Sequence, residues 1–383
     1  MKVIVDRSGL LKALGRARGI VEKRTSVPIL SNVLIAAGDG DILTLSSTDL
    51  EIAITESIPV ERLEKKGTIT VPVQMFFDIV SRLPEDSLPE LSFNPDEKEG
   101  SPPLSIRSGR STFRLSTLPA HEYAVIKKED FPFSFTIKTS DLGDLLERTR
   151  YAISMEETRY YLNGLYFELS NKDKTPLLRA VSTDGHRLAK AEVTNIQFQK
   201  DIQDESFPGI IIPQKTVGEI IKLLDTKVGE VMIAFSSTSI SFASGEINLT
   251  SRLIDGAFPE YEKVIPKDNP FLLKVSTLLF RDAVDRVAVM ASDKTHTIKL
   301  MIQDGTLALS SSSPHAGTAF EEMEVDYIGE SFEMGFNARY LLDAARHIKG
   351  EVLTIAMRDA ASAILLQDEN EPGLAYVIMP MRV

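Results

Sequence analysis

The 383-residue sequence contains no cysteine and no tryptophan. The lack of cysteine excludes disulfide frameworks, thiolate zinc sites, iron–sulfur clusters and a cysteine nucleophile, and it fits a reducing compartment. No apolar run approaches the roughly 20 residues that span a bilayer, and the N-terminal segment lacks the continuous apolar stretch of a signal peptide. We therefore expect a cytoplasmic protein without a membrane segment.

The motifs that bind cofactors are also missing. The sequence has no GxxxxGK[ST] or GxGxxG run, and its five histidines show no metal-ligand spacing such as HExxH. We therefore expect neither a cofactor nor a metal ion. The formal net charge of −12 argues against a protein that covers nucleic acid with its whole surface, but it is compatible with a local basic face.

A threefold internal repeat organises the chain, which is too long for one ordinary core. Each copy starts with a short strand and an amphipathic helix, and the helices start near Ser8, Ser140 and Ser276, which we interpret as helix caps. A strand with a Ser/Thr-rich corner, a second helix and a closing hairpin follow in each copy. The repeat predicts three domains, at residues 1–131, 132–267 and 268–383.

Each copy combines two helices with many strands, which predicts an α+β fold with the helices on one face of antiparallel sheet. The six helix segments have a summed charge of +5, and the rest of the chain has −17, which together make the net charge of −12. Lysine and arginine are also ordinary residues of solvated helix faces. The asymmetry nevertheless favours a basic surface formed by the helices.

Two such chains that meet head to tail would close a ring of six domains, with twelve helices around the hole. At about 10 Å per helix, the free hole is about 28 Å wide, enough for a DNA duplex about 20 Å across. The sequence therefore predicts three repeated α+β domains, with antiparallel sheets on the outside and helices lining the inside of a ring.

Six ordered segments are similar to one protein family over essentially the whole chain. They are SVPILSNVLI from Ser26, RSGRSTFRLSTLPA from Arg107, RYYLNG from Arg159, TDGHRLA from Thr183, FPEYEKVIP from Phe258 and the C-terminal YVIMPMRV. The sequence thus resembles the bacterial DNA polymerase III β subunits, the sliding clamps. The resemblance implies a homodimeric ring that encircles double-stranded DNA, tethers the replicative polymerase, and makes or breaks no bond.

The resemblance also implies a groove for short linear peptides, by which the polymerase catalytic subunit, the clamp loader, other polymerases and repair proteins bind. Paired methionines suit such shared use, because flexible side chains repack around different ligands. Lys263 and Ala363 stand where arginine and serine are common in the family. The groove residues implied in this sequence are Leu162, Thr183, Gly185, His186, Arg187, Leu188, Pro259, Lys263, Val264, Ala363, Val377, Met379, Pro380, Met381 and Arg382.

Two further sets of residues complete the expected site. The resemblance places Arg24, Tyr160 and Tyr161 near DNA. Cations of the predicted helices add a diffuse lining, and those we select are Lys12, Arg16, Arg150, Lys222 and Arg346. For the seam of the ring, we expect Phe113 and Leu115 of one chain to meet Val289 and Met290 of the other.

An enzyme is the alternative hypothesis, because Asp184 and His186 in TDGHRL resemble an acid–base pair or half of a metal site. A lone histidine at a strand corner is more often a packed, hydrogen-bonded residue, and two residues of separation do not define either kind of site. Replacing both residues while measuring turnover and peptide binding would separate the two hypotheses.

Overall fold

The computed structural model describes residues 1–22, 25–95, 102–124, 130–170, 176–198, 207, 209–224, 229–291, 295–313 and 317–382. The chain forms two compact units, each with its own sheets. The first comprises Met1–Thr139, Gln197–Asp201 and Gly218–Leu253, and the second comprises Ser140–Ile196, Ile202–Val217 and Ile254–Val383.

Six α-helices lie in the described part of the chain, two in each predicted copy. Their apolar residues recur at three- and four-residue steps; in the first helix Leu10, Ala13, Leu14 and Ala17 are all buried. The predicted number and placement of helices are therefore confirmed. The helices are α1 Arg7–Ile20, α2 Val73–Ser81, α3 Thr139–Arg150, α4 Gln214–Leu224, α5 Thr277–Ala288 and α6 Ala338–Arg346.

The predicted serine caps are confirmed in one case only. Ser276 caps α5 and accepts a hydrogen bond from the backbone N–H of Leu279. Asp6, however, caps α1, where its carboxylate accepts from the N–H of Gly9 at 2.8 Å and from the Ser8 hydroxyl. Ser140 lies inside α3. A carboxylate two residues upstream is an equally good cap, so the sequence alone did not distinguish the two.

The strands fall into three similar runs, one for each copy. The first run is β1 Lys2–Ile4, β2 Asn32–Ala37, β3 Ile42–Thr48, β4 Ile52–Pro59, β5 Arg62–Lys65, β6 Gly67–Pro72, β7 Glu90–Ser92, β8 Leu104–Ser108 and β9 Ser111–Leu115. The second is β10 Phe133–Lys138, β11 Gly164–Ser170, β12 Leu177–Thr183, β13 Arg187–Val193, β14 Ile196–Phe198, β15 Ile210–Pro213, β16 Glu230–Phe235, β17 Ser239–Ser244 and β18 Ile247–Arg252. The third is β19 Phe271–Ser276, β20 Thr297–Gln303, β21 Thr306–Ser313, β22 Gly317–Glu324, β23 Phe332–Asn337, β24 Val352–Met357, β25 Ile364–Gln367 and β26 Ala375–Ile378.

The first unit contains two antiparallel sheets. One has the strand order β5-β1-β7-β8-β9, and the other has the order β14-β10-β16-β17-β18-β4-β3-β2-β6. Helices α1 and α2 contact each other and pack with Val33, Ile35 and Phe76 in one buried cluster. The strands alternate buried and exposed residues, and the helices pack on the buried, apolar face of the sheet. This arrangement confirms the α+β prediction.

The second unit also contains two antiparallel sheets, with strand orders β15-β11-β12-β13-β26-β25-β24-β19 and β22-β21-β20-β23. Helix α5 contacts β21 and α6, and its buried residues include Phe280 and Val284. The same local pattern thus produces the same local structure in each copy.

Main-chain ladders join successive copies along the chain. Strand β4 of the first copy pairs with β18 of the second from Ile52↔Ser251 to Glu56↔Ile247. Strand β13 of the second copy pairs with β26 of the third from Arg187↔Ile378 to Lys190↔Ala375. The strands β9 and β22 remain at the edges of their sheets. By their order in the repeat, β9 corresponds to β18 and β26, and β22 corresponds to β4 and β13. The first and third copies therefore each have one edge strand of this kind that is not joined to another copy.

Candidate functional site

The corner between β12 and β13 is a tight turn built by side-chain hydrogen bonds. Asp184 Oδ1 accepts from the backbone N–H groups of His186 and Arg187 at 2.9 and 3.0 Å, and Thr183 Oγ1 donates to the Arg187 carbonyl at 2.7 Å. Asp49 plays the same part in the first copy, where it accepts from the N–H groups of Glu51 and Ile52. Asp184 is therefore a turn-forming residue of the repeat.

Gly185 adopts a conformation that suits glycine, with a φ of +88°. A Cβ atom at this position would lie 2.5 Å from the guanidinium of Arg159, which covers the turn and is held by Glu156 at 2.8 Å. The segment that precedes Leu162 therefore reaches the TDGHRL corner. Sequence reasoning named Gly185 but missed Arg159 as its neighbour, although Arg159 opens one of the similar segments.

The C-terminal segment lies beside this corner. Leu188 and Val377 are paired across β13 and β26, and the Met379 N–H donates to the His186 carbonyl at 2.9 Å. The Met381 N–H donates to the Gly335 carbonyl at 2.8 Å. Backbone bonds thus fix the segment, while the side chains of Met379 and Met381 are 43 % and 36 % exposed. The sequence left open whether these methionines are covered, and they are not.

A short turn, Tyr261–Lys263, presents the third part of the predicted groove. Pro259 and Lys263 are exposed, and Val264 is 50 % exposed. The turn is anchored by Tyr261, whose hydroxyl donates to Glu168 Oε2 at 2.5 Å and accepts from Arg179 at 2.8 Å. Sequence reasoning missed this anchor.

The corresponding tyrosine of the first copy has a different environment. In the first copy, Tyr123 donates to the backbone carbonyls of Asn32 and Ser46, and burial raises its pKa to about 12. Burial and the hydrogen bond to Glu168 raise the pKa of Tyr261 still further above its ordinary value. Tyr261 therefore remains a neutral hydroxyl between Arg179 and Glu168 at any physiological pH.

One buried apolar cluster lies beneath these parts. Leu188, Val377 and Tyr261 belong to it, and the half-buried Ala363 packs against it. Leu162, Leu188 and Val377 are themselves buried, so they form the floor and not the exposed wall of the groove. The structure thus places the corner, the C-terminal segment and the turn on one apolar cluster, and the groove itself stays a prediction. The remaining predicted residues His186 and Arg382 are exposed, and Pro380 is half-buried.

Arg187 holds the corner to the neighbouring helices. Its guanidinium donates to Asp184 at 3.1 Å, to Asp343 of α6 at 2.6 Å and to the Tyr151 carbonyl, and it lies 4.4 Å from the ring centre of Tyr340. Its side chain is only 13 % exposed. The guanidinium therefore holds the corner in place from the protein interior. Arg187 shapes the predicted groove, and its charge is already taken up by Asp184 and Asp343.

His347, directly after α6, belongs to the same packed region and predicts a pH dependence. Its ring stacks on Tyr151 at 5.2 Å, and burial lowers its pKa although the carboxylates of Glu147 and Asp343 favour the charged form. The unfolded chain therefore binds the proton more readily, so stability falls as pH drops below about 6.5. Urea unfolding at pH 7.5 and 5.5 should show this loss, and His347→Gln should reduce it. Equal losses in both proteins would contradict the prediction.

The predicted DNA-facing cations are exposed but mostly paired. Arg150 lies 2.8 Å from Glu147, Lys222 lies 2.7 Å from Glu219, and Arg346 lies 4.0 Å from Asp285. The structure gives a different environment to Arg16, which is 17 % exposed and bound to Glu56 at 2.7 Å. Its charge is neutralised, so the diffuse-lining prediction rests on the others.

The remaining DNA-facing predictions stay predictions. Lys12 is exposed, Tyr160 is 55 % exposed, and Tyr161 packs edge to face against Tyr160 at 5.8 Å. Arg24 lies outside the described residues.

The predicted seam residues have different exposures. Phe113 on the edge strand β9 is 36 % exposed, Val289 is 77 % exposed, and Met290 is half-buried. Leu115, however, is 3 % exposed because it packs in the core of its own unit. The seam prediction therefore rests on Phe113 with Val289 and Met290.

Within the described residues, no helix has the length and apolar character needed to cross a bilayer. Among the same residues, no group of three or more histidine, cysteine, aspartate or glutamate side chains is placed to hold a metal ion.

The fold and the site define a protein of three α+β copies, in whose second unit the TDGHRL corner, the C-terminal segment and the Tyr261–Lys263 turn rest on one buried apolar cluster. Family models of the DNA polymerase III beta subunit match residues 1–127 (N-terminal domain), 136–260 (central domain) and 262–382 (C-terminal domain). The chain is 43 % identical to the beta sliding clamp of Caulobacter vibrioides over 383 residues, which is 100 % of both chains.

Solved structures agree with these matches. The C. crescentus beta sliding clamp superposes with a TM-score of 0.94 at 42 % identity, covering 100 % of this chain and 99 % of that one. A sliding clamp from Bartonella birtlesii bound to griselimycin superposes with a TM-score of 0.92 at 41 % identity, with 100 % of both chains covered. The chain therefore belongs to the DNA polymerase III beta subunit family, the sliding clamps, which are non-catalytic processivity factors of DNA replication.

Proposed function

We propose that two copies of this chain close head to tail into a ring that encircles double-stranded DNA, slides along it and tethers the replicative polymerase. The edge strands β9 and β22 support this proposal. Within the chain, copies are joined by the β4–β18 and β13–β26 ladders. A joint of the same kind between chains would pair β9 of one protomer with β22 of its partner, so that each copy in the ring is joined to a neighbour on both sides.

Charge and apolar exposure favour this seam. The β8–β9 hairpin exposes Arg107 and Arg110, whereas β22 exposes Glu322 and Glu324. Opposite charges on the two edges attract a second copy and disfavour pairing of two identical edges. Phe113 of one protomer then covers Val289 at the end of α5 in the partner.

We propose that the ring holds DNA by enclosure and touches it weakly. A closed ring stays on its template without tight binding, so a few exposed cations such as Lys12 and Lys222 suffice for a diffuse attraction to phosphates. The ion pair with Glu219 weakens the attraction of Lys222 to phosphates, which suits a protein that slides along DNA. We assign the protein to the cytoplasm.

We propose that the groove of the second unit takes short linear peptides with a glutamine and two large apolar side chains. The exposed methionines Met379 and Met381, together with Val264, supply an adaptable apolar surface. Such peptides would belong to the polymerase catalytic subunit, the clamp loader, other polymerases and repair proteins. The enzyme hypothesis has no comparable support, because Asp184 serves the turn as Asp49 does in the first copy.

Retention on circular DNA tests enclosure. A clamp loaded on a nicked circle is expected to co-elute with the DNA through gel filtration and to be lost once a restriction enzyme linearises the circle, because a ring slides off an end. Blocking both ends with a bound protein should restore retention. Equal retention on open linear DNA and on circles would show that the protein grips its template and would overturn the proposal.

A further inference from the structure

We infer that a second cleft, next to the peptide groove, binds an acidic stretch that flanks the partner's motif. This inference rests on the proposed peptide binding and extends it. The cleft has a volume of about 930 Å³, and its lining includes Tyr166, Phe258, Lys267 and Arg358 together with Pro259 and Lys263 of the predicted groove. A space of this size accommodates a few residues of extended chain.

The cleft and the groove share one foundation. Tyr166 and Phe258 are stacked with ring centres 4.7 Å apart and pack on the same buried cluster that contains Leu188 and Val377 beneath the groove. Pro259 lines the cleft and also belongs to the predicted groove. A peptide that leaves the groove across Pro259 therefore meets the stacked rings next, without crossing an unrelated surface.

The charges of the cleft favour an acidic occupant. Its acidic side chains are already engaged: Glu168 binds Arg179 at 2.9 Å and the Tyr261 hydroxyl, Glu262 lies 3.6 Å from Arg179, and Glu260 pairs with Lys263. These carboxylates are turned toward cations of the protein itself. A basic peptide would have to compete with those cations for each of them.

Two cations of the lining, Lys267 and Arg358, lie at one margin of the cleft. Arg358 donates to the Asp268 carbonyl at 3.3 Å, which places it beside the residue that follows Lys267. Both side chains belong to exposed residues, and within the described ranges neither lies in ion-pair distance of a carboxylate. Asp359, the neighbour of Arg358, binds the Ser362 hydroxyl and the N–H groups of Ala361 and Ser362, and it attracts Arg358 electrostatically without forming an ion pair with it. Carboxylates of a peptide flank would find both cations available.

Four labelled peptides test the inference. All contain the same glutamine-containing apolar motif. Two carry a flank of three glutamates, one before and one after the motif, and the other two carry three serines at the same places. Fluorescence anisotropy is expected to show about five- to tenfold tighter binding of the acidic flank at one end only, and a smaller gain at high salt. The double variant Lys267→Glu with Arg358→Glu should abolish the gain and leave the serine peptides unaffected. Arg62→Glu with Lys65→Glu, the same charge change at two exposed residues of β5, is the matched control.

The outcomes separate this inference from the proposed function. Binding of the serine peptides without any gain from glutamates at either end would overturn the acidic-flank cleft and leave the groove in place. A gain that survives the double variant, or a preference for a basic flank, would also overturn it. Failure of all four peptides to bind would overturn the groove and the cleft together.

Discussion

Replacing Phe113 by aspartate is expected to convert the ring into monomers. The side chain lies at the edge strand β9, and in the proposed seam it is buried against Val289 of the partner. Loss of its apolar contact costs about 2 kcal/mol at each seam, and a head-to-tail dimer contains two seams. The dissociation constant of the dimer should therefore rise by roughly 10³-fold. Burial of the new aspartate carboxylate should raise it further. Sedimentation velocity at micromolar concentration measures the change.

Ile328→Asp provides the matched control for this variant. Ile328 is 87 % exposed and lies outside β9, β22 and the end of α5, so its replacement should leave the dimer intact. The Phe113 variant should also lose retention on nicked circular DNA. A variant that stays dimeric would place the seam elsewhere on the molecule, and a monomeric variant that still stays on circles would refute enclosure.

Removal of Met379 to Val383 is expected to abolish peptide binding while the dimer remains. The segment contributes two exposed methionines to the groove, and truncating an anchor of this kind costs about 2 kcal/mol or more. Loss of both should weaken binding by at least about 100-fold. The strands β9 and β22 do not include the segment, so the seam is untouched. Anisotropy with a motif peptide and sedimentation measure the two effects.

A milder variant guards against damage to the fold. The deletion also removes the backbone bond from Met381 to Gly335, whereas Met379→Ala with Met381→Ala keeps it. That double variant should lose most of the affinity at an unchanged melting temperature, and Met232→Ala, an exposed methionine of β16, should lose none. Wild-type affinity in the double variant, or a monomeric deletion protein, would contradict the assignment.

Local features of the fold were predictable because they follow from periodicity. The apolar spacing of Leu10, Ala13 and Leu14 specifies a helix whatever lies around it. The helix starts predicted near Ser8, Ser140 and Ser276 agree with the observed starts of α1, α3 and α5. The three-copy α+β organisation followed from repetition of such segments. Its predicted domain limits stay predictions, although the family models break near the same places.

Contacts between distant parts of the chain were not predictable from pattern. Nothing local in β4 selects β18, about 200 residues away, as its partner. Helix cations illustrate the same limit: Arg16 is neutralised by Glu56 and Arg148 by Glu371, each from another element. The summed helix charge therefore overstated the free positive charge. The predicted groove residues came from the segments similar to the family. The anchor, Tyr261 between Glu168 and Arg179, could not be predicted in this way because its three residues come from a turn, β11 and β12.

The joints between copies have a consequence for loading onto a template without free ends. Inside each chain, the β4–β18 and β13–β26 joints are bridged by the continuous polypeptide as well as by hydrogen bonds. A β9–β22 joint would have only its ladder, at most five residues long on the β9 side, and the side chains around it. These two joints are therefore the weakest in the ring. A protein that separates the strands of one joint would open the ring for the duplex, while the other joint stays closed and acts as the hinge.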